Sequence, residues 1–110
     1  MATRYEIRFT RGADQDLQLI HGYRIARDGE AAADDWLATL IERIATLRQF
    51  PDRGSIPPEL QRIGMRDFRQ VLCGPYRIIY RVIDATVFIM VIADGRRDMA
   101  TLLEQRLLAR

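Results

Sequence analysis

The chain has 110 residues, 48% hydrophobic and 29% charged, with a formal net charge of +2. That length suits one domain, residues 1–110, and the balance of apolar and charged residues excludes a disordered chain. The single cysteine, Cys73, excludes an internal disulfide and suits a reducing cytoplasm, and no apolar run reaches the ~20 residues of a membrane helix.

Residues 1–10 alternate in charge and carry no apolar run, which predicts neither a signal peptide nor an anchor. Within them Tyr5, Ile7 and Phe9 alternate with Glu6 and Arg8, the pattern of a half-buried strand. Residues 13–27 read as a helix with Leu17, Ile20 and the stem of Arg24 on one face. Asp28-Gly29 is a turn signal. Residues 30–49 carry the clearest helical stripe: Trp36, Leu37, Leu40, Ile41, Ile44 and Leu47. Two helices joined by so short a break predict an antiparallel hairpin. Residues 50–64 hold three prolines and two glycines and read as a loop.

Three strands follow, over residues 66–72, 76–83 and 86–93, with Gly74-Pro75 and Asp84-Ala85 as turns. The last is apolar on both faces, which predicts a central strand. Asp98 then caps a short helix whose apolar face is Met99, Leu102, Leu103 and Leu107. The expected fold class is α+β, in the order β-α-α-β-β-β-α. The helical hairpin packs on one face of a mainly antiparallel twisted sheet, and the other face is more open.

All 17 basic residues are arginine. No lysine is available as a general base or phosphate clamp, so anion recognition falls to the planar guanidinium fork. Arg77 and Arg81 share one face of a strand about 13 Å apart. They are either two solvated arginines or a site for an extended polyanion or acidic peptide. Gly95-Arg96-Arg97-Asp98 is likewise either an ordinary helix start or an anion site at the sheet's edge. His21 is the only histidine and has no Cys or carboxylate cluster at ligand spacing, so no metal site is expected. Nor does the chain hold a glycine-rich phosphate loop, and no cofactor is expected.

Three segments together resemble the RelE/ParE toxins. They are Leu47-x-x-Phe50-Pro51-x-x-Gly54, then Arg69-x-x-x-x-Gly74-Pro75-Tyr76-Arg77-Ile78-Ile79-Tyr80-Arg81-Val82, then Val87-x-Ile89-x-x-Ile92-x-x-Gly95-Arg96-Arg97-Asp98. The resemblance runs over nearly the whole chain and implies a type II toxin that a cognate, ParD-like antitoxin silences in a hetero-oligomer. In the RelE branch, toxins cut mRNA on the ribosome with arginines matching Arg77 and Arg97. In the ParE branch, toxins are not nucleases and poison DNA gyrase. The position of the RelE C-terminal tyrosine is Leu103 here, and no acid–base pair is evident, so the resemblance places the chain on the ParE side. It implies target contacts by Arg96, Arg97, Leu102, Leu103 and Arg106. It also implies antitoxin contacts by Leu17, Ile20, Trp36 and Leu40 of the hairpin and by Arg77 and Arg81 of the sheet. A ribosome-dependent endoribonuclease and a non-toxic antitoxin-binding relative are the alternatives. The expected location is cytoplasmic, away from membranes.

Overall fold

The computed structural model describes residues 4–108; residues 1–3, part of the segment expected to lack a leader, lie outside them. Strand β1 is Glu6–Phe9, helix α1 Arg11–Asp28 and helix α2 Glu30–Ala45, which tightens into a 3-10 turn at Thr46–Arg48. A four-residue helix α3, Pro58–Gln61, precedes β2 (Phe68–Cys73), β3 (Tyr76–Ile83) and β4 (Thr86–Asp94). Helix α4, Met99–Leu103, runs on into a π-helical turn, Glu104–Leu108. Among the described residues no helix is long and apolar enough to cross a membrane.

Thr10 starts α1 two residues ahead of the expected position. Its hydroxyl accepts from the Ala13 N–H at 3.2 Å and donates to the Ile89 carbonyl at 3.1 Å, so the cap also fixes the helix to β4. Only Gly29 separates α1 from α2, and its φ of 95° is a backbone state that side-chain-bearing residues avoid. The hairpin is therefore as tight as the Asp28-Gly29 signal implied.

The sheet order is β1-β4-β3-β2, with β1 parallel to β4 and the other pairs antiparallel. As its sequence required, β4 is central. Leu40, Ile44 and Leu47 of the hairpin side pack on Ile78, Tyr80, Val87, Ile89 and Ile92 to form the main core. The register skips Met90, because Ile79 pairs with Val91 while Tyr80 pairs with Ile89. This bulge switches the faces of β4: Val87 and Ile89 meet the hairpin, whereas Val91 and Ala93 turn to the opposite side.

That opposite side is not open. Leu60 of α3 and Met99, Leu102 and Leu103 of α4 cover Phe68, Ile79, Val91 and Ala93 in a second, smaller core. Helix α3 forms where a loop was expected because Pro58 occupies a first-turn position, where a missing N–H costs nothing.

The segment before α3 is tied down by one side chain. The Tyr80 hydroxyl, fully buried, donates to the Pro51 carbonyl at 2.7 Å and accepts from the Gly54 N–H at 3.0 Å. A Cβ at Gly54 would lie 2.6 Å from both that hydroxyl and the Gln70 carbonyl. Arg69 donates to the Gly54 carbonyl at 2.7 Å. Phe50-Pro51-x-x-Gly54, Arg69 and Tyr80, separate in sequence, thus form one unit.

Candidate functional site

The two β3 arginines have different surroundings. Arg77 makes a bidentate pair with Glu59 of α3, at 2.9 and 2.7 Å, and its Nε donates to Gln70 Oε1 at 2.7 Å. Its side chain is 11% exposed, and its stem packs at Gly95, where a Cβ would approach it to 3.2 Å. Hydrogen bonding from Arg77 holds the Glu59 carboxyl below its usual range against the opposing effect of burial. Arg77 was expected to meet an antitoxin or a phosphate, but its donors already serve Glu59 and Gln70. Arg81 lies over the Phe68 ring at 5.6 Å and is half-buried.

The corner after β4 is more exposed. Asp94 accepts from Arg96 Nη2 at 2.6 Å, from Arg96 Nε at 3.0 Å and from the Arg96 backbone N–H at 2.9 Å. These bonds bring its carboxyl down to about 2. The Arg97 N–H donates to the Asp94 carbonyl at 3.1 Å, while its side chain is exposed with no carboxylate partner among the described residues. Asp98 caps α4 as expected, accepting from the Thr101 N–H at 3.2 Å and the Thr101 hydroxyl at 2.7 Å.

A cleft of about 350 Å³ lies between α1 and this corner. Leu19, Ile20, Tyr23, Arg24 and Arg27 form its helical wall; Pro75, Tyr76, Asp94, Arg96 and Arg97 form the other. Four arginines thus converge on a half-apolar groove. Beneath it the Arg24 guanidinium stacks 5.1 Å from Trp36 and 5.9 Å from Tyr76, whose rings are 5.2 Å apart. Arg27 pairs with Asp28 at 2.7 Å and covers Tyr23 at 5.4 Å. Leu19 and Tyr23 are 75% and 60% exposed.

Of the remaining expected site residues, Ile20 lines this cleft and the others fall elsewhere. Leu40, Leu102 and Leu103 are buried in the two cores. Leu17, Ile20 and Trp36 are half-buried against the main core. Arg106 is held by Asp16 of α1 in a bidentate pair, at 2.9 and 3.0 Å, and donates to the Met90 carbonyl at 3.0 Å. Asp16 also accepts from the Ile92 N–H at 3.0 Å, so this pair joins α1, β4 and the C-terminal turn. His21 bridges the hairpin to Asp34 at 2.9 Å. Among the described residues no group of three or more His, Cys, Asp or Glu side chains is placed to hold a metal ion.

Leu19, Tyr23 and Arg27 of the cleft were not among the expected site residues. They repeat at i, i+4, i+8 and form a second stripe beside Leu17 and Ile20. A helix with apolar residues on two faces was the available signal.

The sequence matches the family model described as the ParE toxin of the type II toxin-antitoxin system parDE over residues 7–99. No curated protein matches it. Among solved structures the fold is similar to the chromosomal ParDE system from P. aeruginosa, at 20% identity and TM-score 0.70, covering 84% of this chain and 97% of that one. It is also similar to the RelBE2 toxin–antitoxin complex of Mycobacterium tuberculosis, at 24% identity and TM-score 0.55, covering 83% and 98%. An arginine-to-alanine double mutant of the E. coli toxin RelE in the free state gives 16% identity and TM-score 0.58, covering 90% and 92%.

Proposed function

The chain belongs to the ParE toxin family of type II toxin–antitoxin systems, and from that premise we propose that it is a ParE-like inhibitor of DNA gyrase, silenced in the cytoplasm by a ParD-like antitoxin. The state of Arg77 carries the reading. RNA cleavage by attack of a 2′-hydroxyl needs a base, an acid and a cation free to meet the developing phosphorane charge. Arg77, the strand arginine that the RelE pattern assigns to that charge, is already neutralised by Glu59 and mostly buried. The only histidine, His21, is bonded to Asp34 on the hairpin. Binding chemistry suits what the cleft offers: exposed guanidinium groups beside exposed apolar side chains.

The ribosome-dependent endoribonuclease remains the second reading on one observation: Arg97 is exposed and free of carboxylates among the described residues. Two assays on the purified toxin separate the readings. Supercoiling by gyrase is followed with trapping of cleaved DNA, beside mRNA cleavage on programmed ribosomes. Gyrase inhibition predicts accumulation of cleaved DNA with intact mRNA. Codon-phased cuts in mRNA with normal gyrase activity would sink it.

A further inference from the structure

We propose that the uncovered half of the sheet's second face, where arginine and phenylalanine alternate across all four strands, holds single-stranded DNA; the choice of DNA over RNA rests on the gyrase reading.

The cover that α3 and α4 give this face ends with Phe68, Ile79 and Met90. At its border the strand register sets four side chains in line. Arg8 of β1 pairs with Phe88 of β4, Phe88 with Arg81 of β3, and Arg81 with Phe68 of β2. Ile7 and Phe9 pack on the main core, so Arg8 between them points to the second face. Val82 likewise packs on the main core, and Arg81 beside it points away. Phe88 is half-buried on the central strand, yet among the described residues it belongs to neither core. Next to the row Ile83 is 44% exposed.

Of the two β3 arginines only Arg81 keeps its donors. Arg77 gives its own to Glu59 and Gln70. Arg81 stacks on Phe68 at 5.6 Å and has neither a hydrogen-bond nor a carboxylate partner among the described residues. Stacking orients a guanidinium without using an N–H, so the fork of Arg81 remains for a phosphate. Arg8 stands two strand spacings away, about 10 Å. It pairs with Glu6 at 3.0 Å, and the two side chains are 62% and 56% exposed. A pair so exposed is weak and yields to a phosphate. Asp67 and Asp84 are exposed at the ends of β2 and β3. The row therefore offers two guanidinium groups with a ring between them: phosphate donors on either side of a surface on which a base stacks. An acidic peptide would meet the arginines, but lying across a sheet face it leaves its own backbone N–H and C=O groups without strand partners. A duplex hides the base faces that Phe88 would meet.

The test uses the full-length chain and a dye-labelled oligothymidylate of about 15 nucleotides. Fluorescence anisotropy follows binding over a range of salt concentrations for the wild type, Arg81→Gln, Phe88→Leu and the control Arg11→Gln. Arg11 is exposed at the start of α1. Loss of stacking predicts at least about fivefold weaker binding by Phe88→Leu with an unchanged salt slope. Loss of a phosphate contact predicts weaker binding by Arg81→Gln with a slope reduced by about 1. The control should bind as the wild type does. Ultraviolet crosslinking of the wild type to the same oligonucleotide, mapped by mass spectrometry, should mark Phe88. This second measurement needs no variant, so a substitution that unfolds the chain does not remove the test. A wild type that leaves the oligonucleotide unbound, or variants that bind it unchanged, overturn the proposal; if that protein still traps cleaved DNA on gyrase, the gyrase reading stands. Binding at the row with gyrase activity untouched keeps the site and sinks the gyrase reading. Tighter binding of oligouridylate or of duplex DNA overturns the choice of single-stranded DNA. An acidic peptide that contacts Arg81 where the oligonucleotide does not would assign the row to a protein partner instead.

Discussion

Tyr80 shows how one polar atom organises a segment rich in proline and glycine. Its hydroxyl accepts from the Gly54 N–H and also serves the Pro51 carbonyl inside the core. Burial is the leading effect on this phenol and raises it above its ordinary value, so it stays protonated and able to donate. Tyr80→Phe should destabilise the chain by about 1–3 kcal/mol, because it leaves a buried donor and acceptor unmet. Urea denaturation measures this, and an unchanged midpoint would mean that water replaces the hydroxyl. Glu59 makes a second prediction. Its carboxyl is depressed in the fold by Arg77. The stability it contributes is therefore fully present above the ordinary glutamate value of about 4.3 and is lost as pH falls through the lower native value. Glu59→Gln should be less stable than wild type at neutral pH, and the gap should close on acidification below about pH 4. A gap constant with pH would show that the loss is one of packing rather than charge. The arginines of β3 were legible as a shared face; their neutralisation was not, because Glu59 lies 18 positions away on an element read as loop.

At the scale of elements, hydrophobic periodicity located what local burial determines. β3 falls at Tyr76–Ile83, as expected, and the hairpin helices differ from expectation mainly at their ends. The parallel pairing of β1 with β4 and the skipped Met90 are long-range properties, and no alternation within either strand encodes them. The capped second face was hidden for a similar reason. Helix α3 is too short for a periodic signal, and the apolar face legible in α4 does not say that it covers Ile79 and Val91. Helix α4 and the turn after it are short, so their order rests on docking. Arg106–Asp16 is the polar part of that docking, mostly buried, with side chains 25% and 15% exposed. Asp16→Ala should cost about 2–4 kcal/mol, since it strands a shielded guanidinium and the Ile92 N–H together. A double-mutant cycle with Arg106→Ala should return a coupling of at least about 1 kcal/mol. Additive losses would show that the turn is held by Leu102 and Leu103 alone.

At the scale of the molecule, stability and recognition divide between different residues that the sequence placed side by side. Leu103 and Arg97 both lie near the C-terminal helix, and both were expected to touch a target. The fold buries the first completely in the second core and leaves the second in solvent at the mouth of the cleft. Exposure separates them, and only the three-dimensional path of the chain supplies it. Leu103→Ala should lower stability by about 2–5 kcal/mol through the cavity it leaves. Its effect on toxicity should then follow the folded fraction and recover at lower temperature. Arg97→Ala removes a side chain with no carboxylate partner among the described residues, so its melting temperature should stay within about 1–2 °C of wild type. Toxicity or antitoxin affinity should nevertheless fall, and cooling should not restore it. Melting curves and growth inhibition, each measured at two temperatures for both variants, decide the matter. If Arg97→Ala also melts early, the corner is part of the scaffold. If Leu103→Ala loses activity while fully folded, α4 must leave the sheet when the toxin engages its target, and the second core is then a displaceable cover.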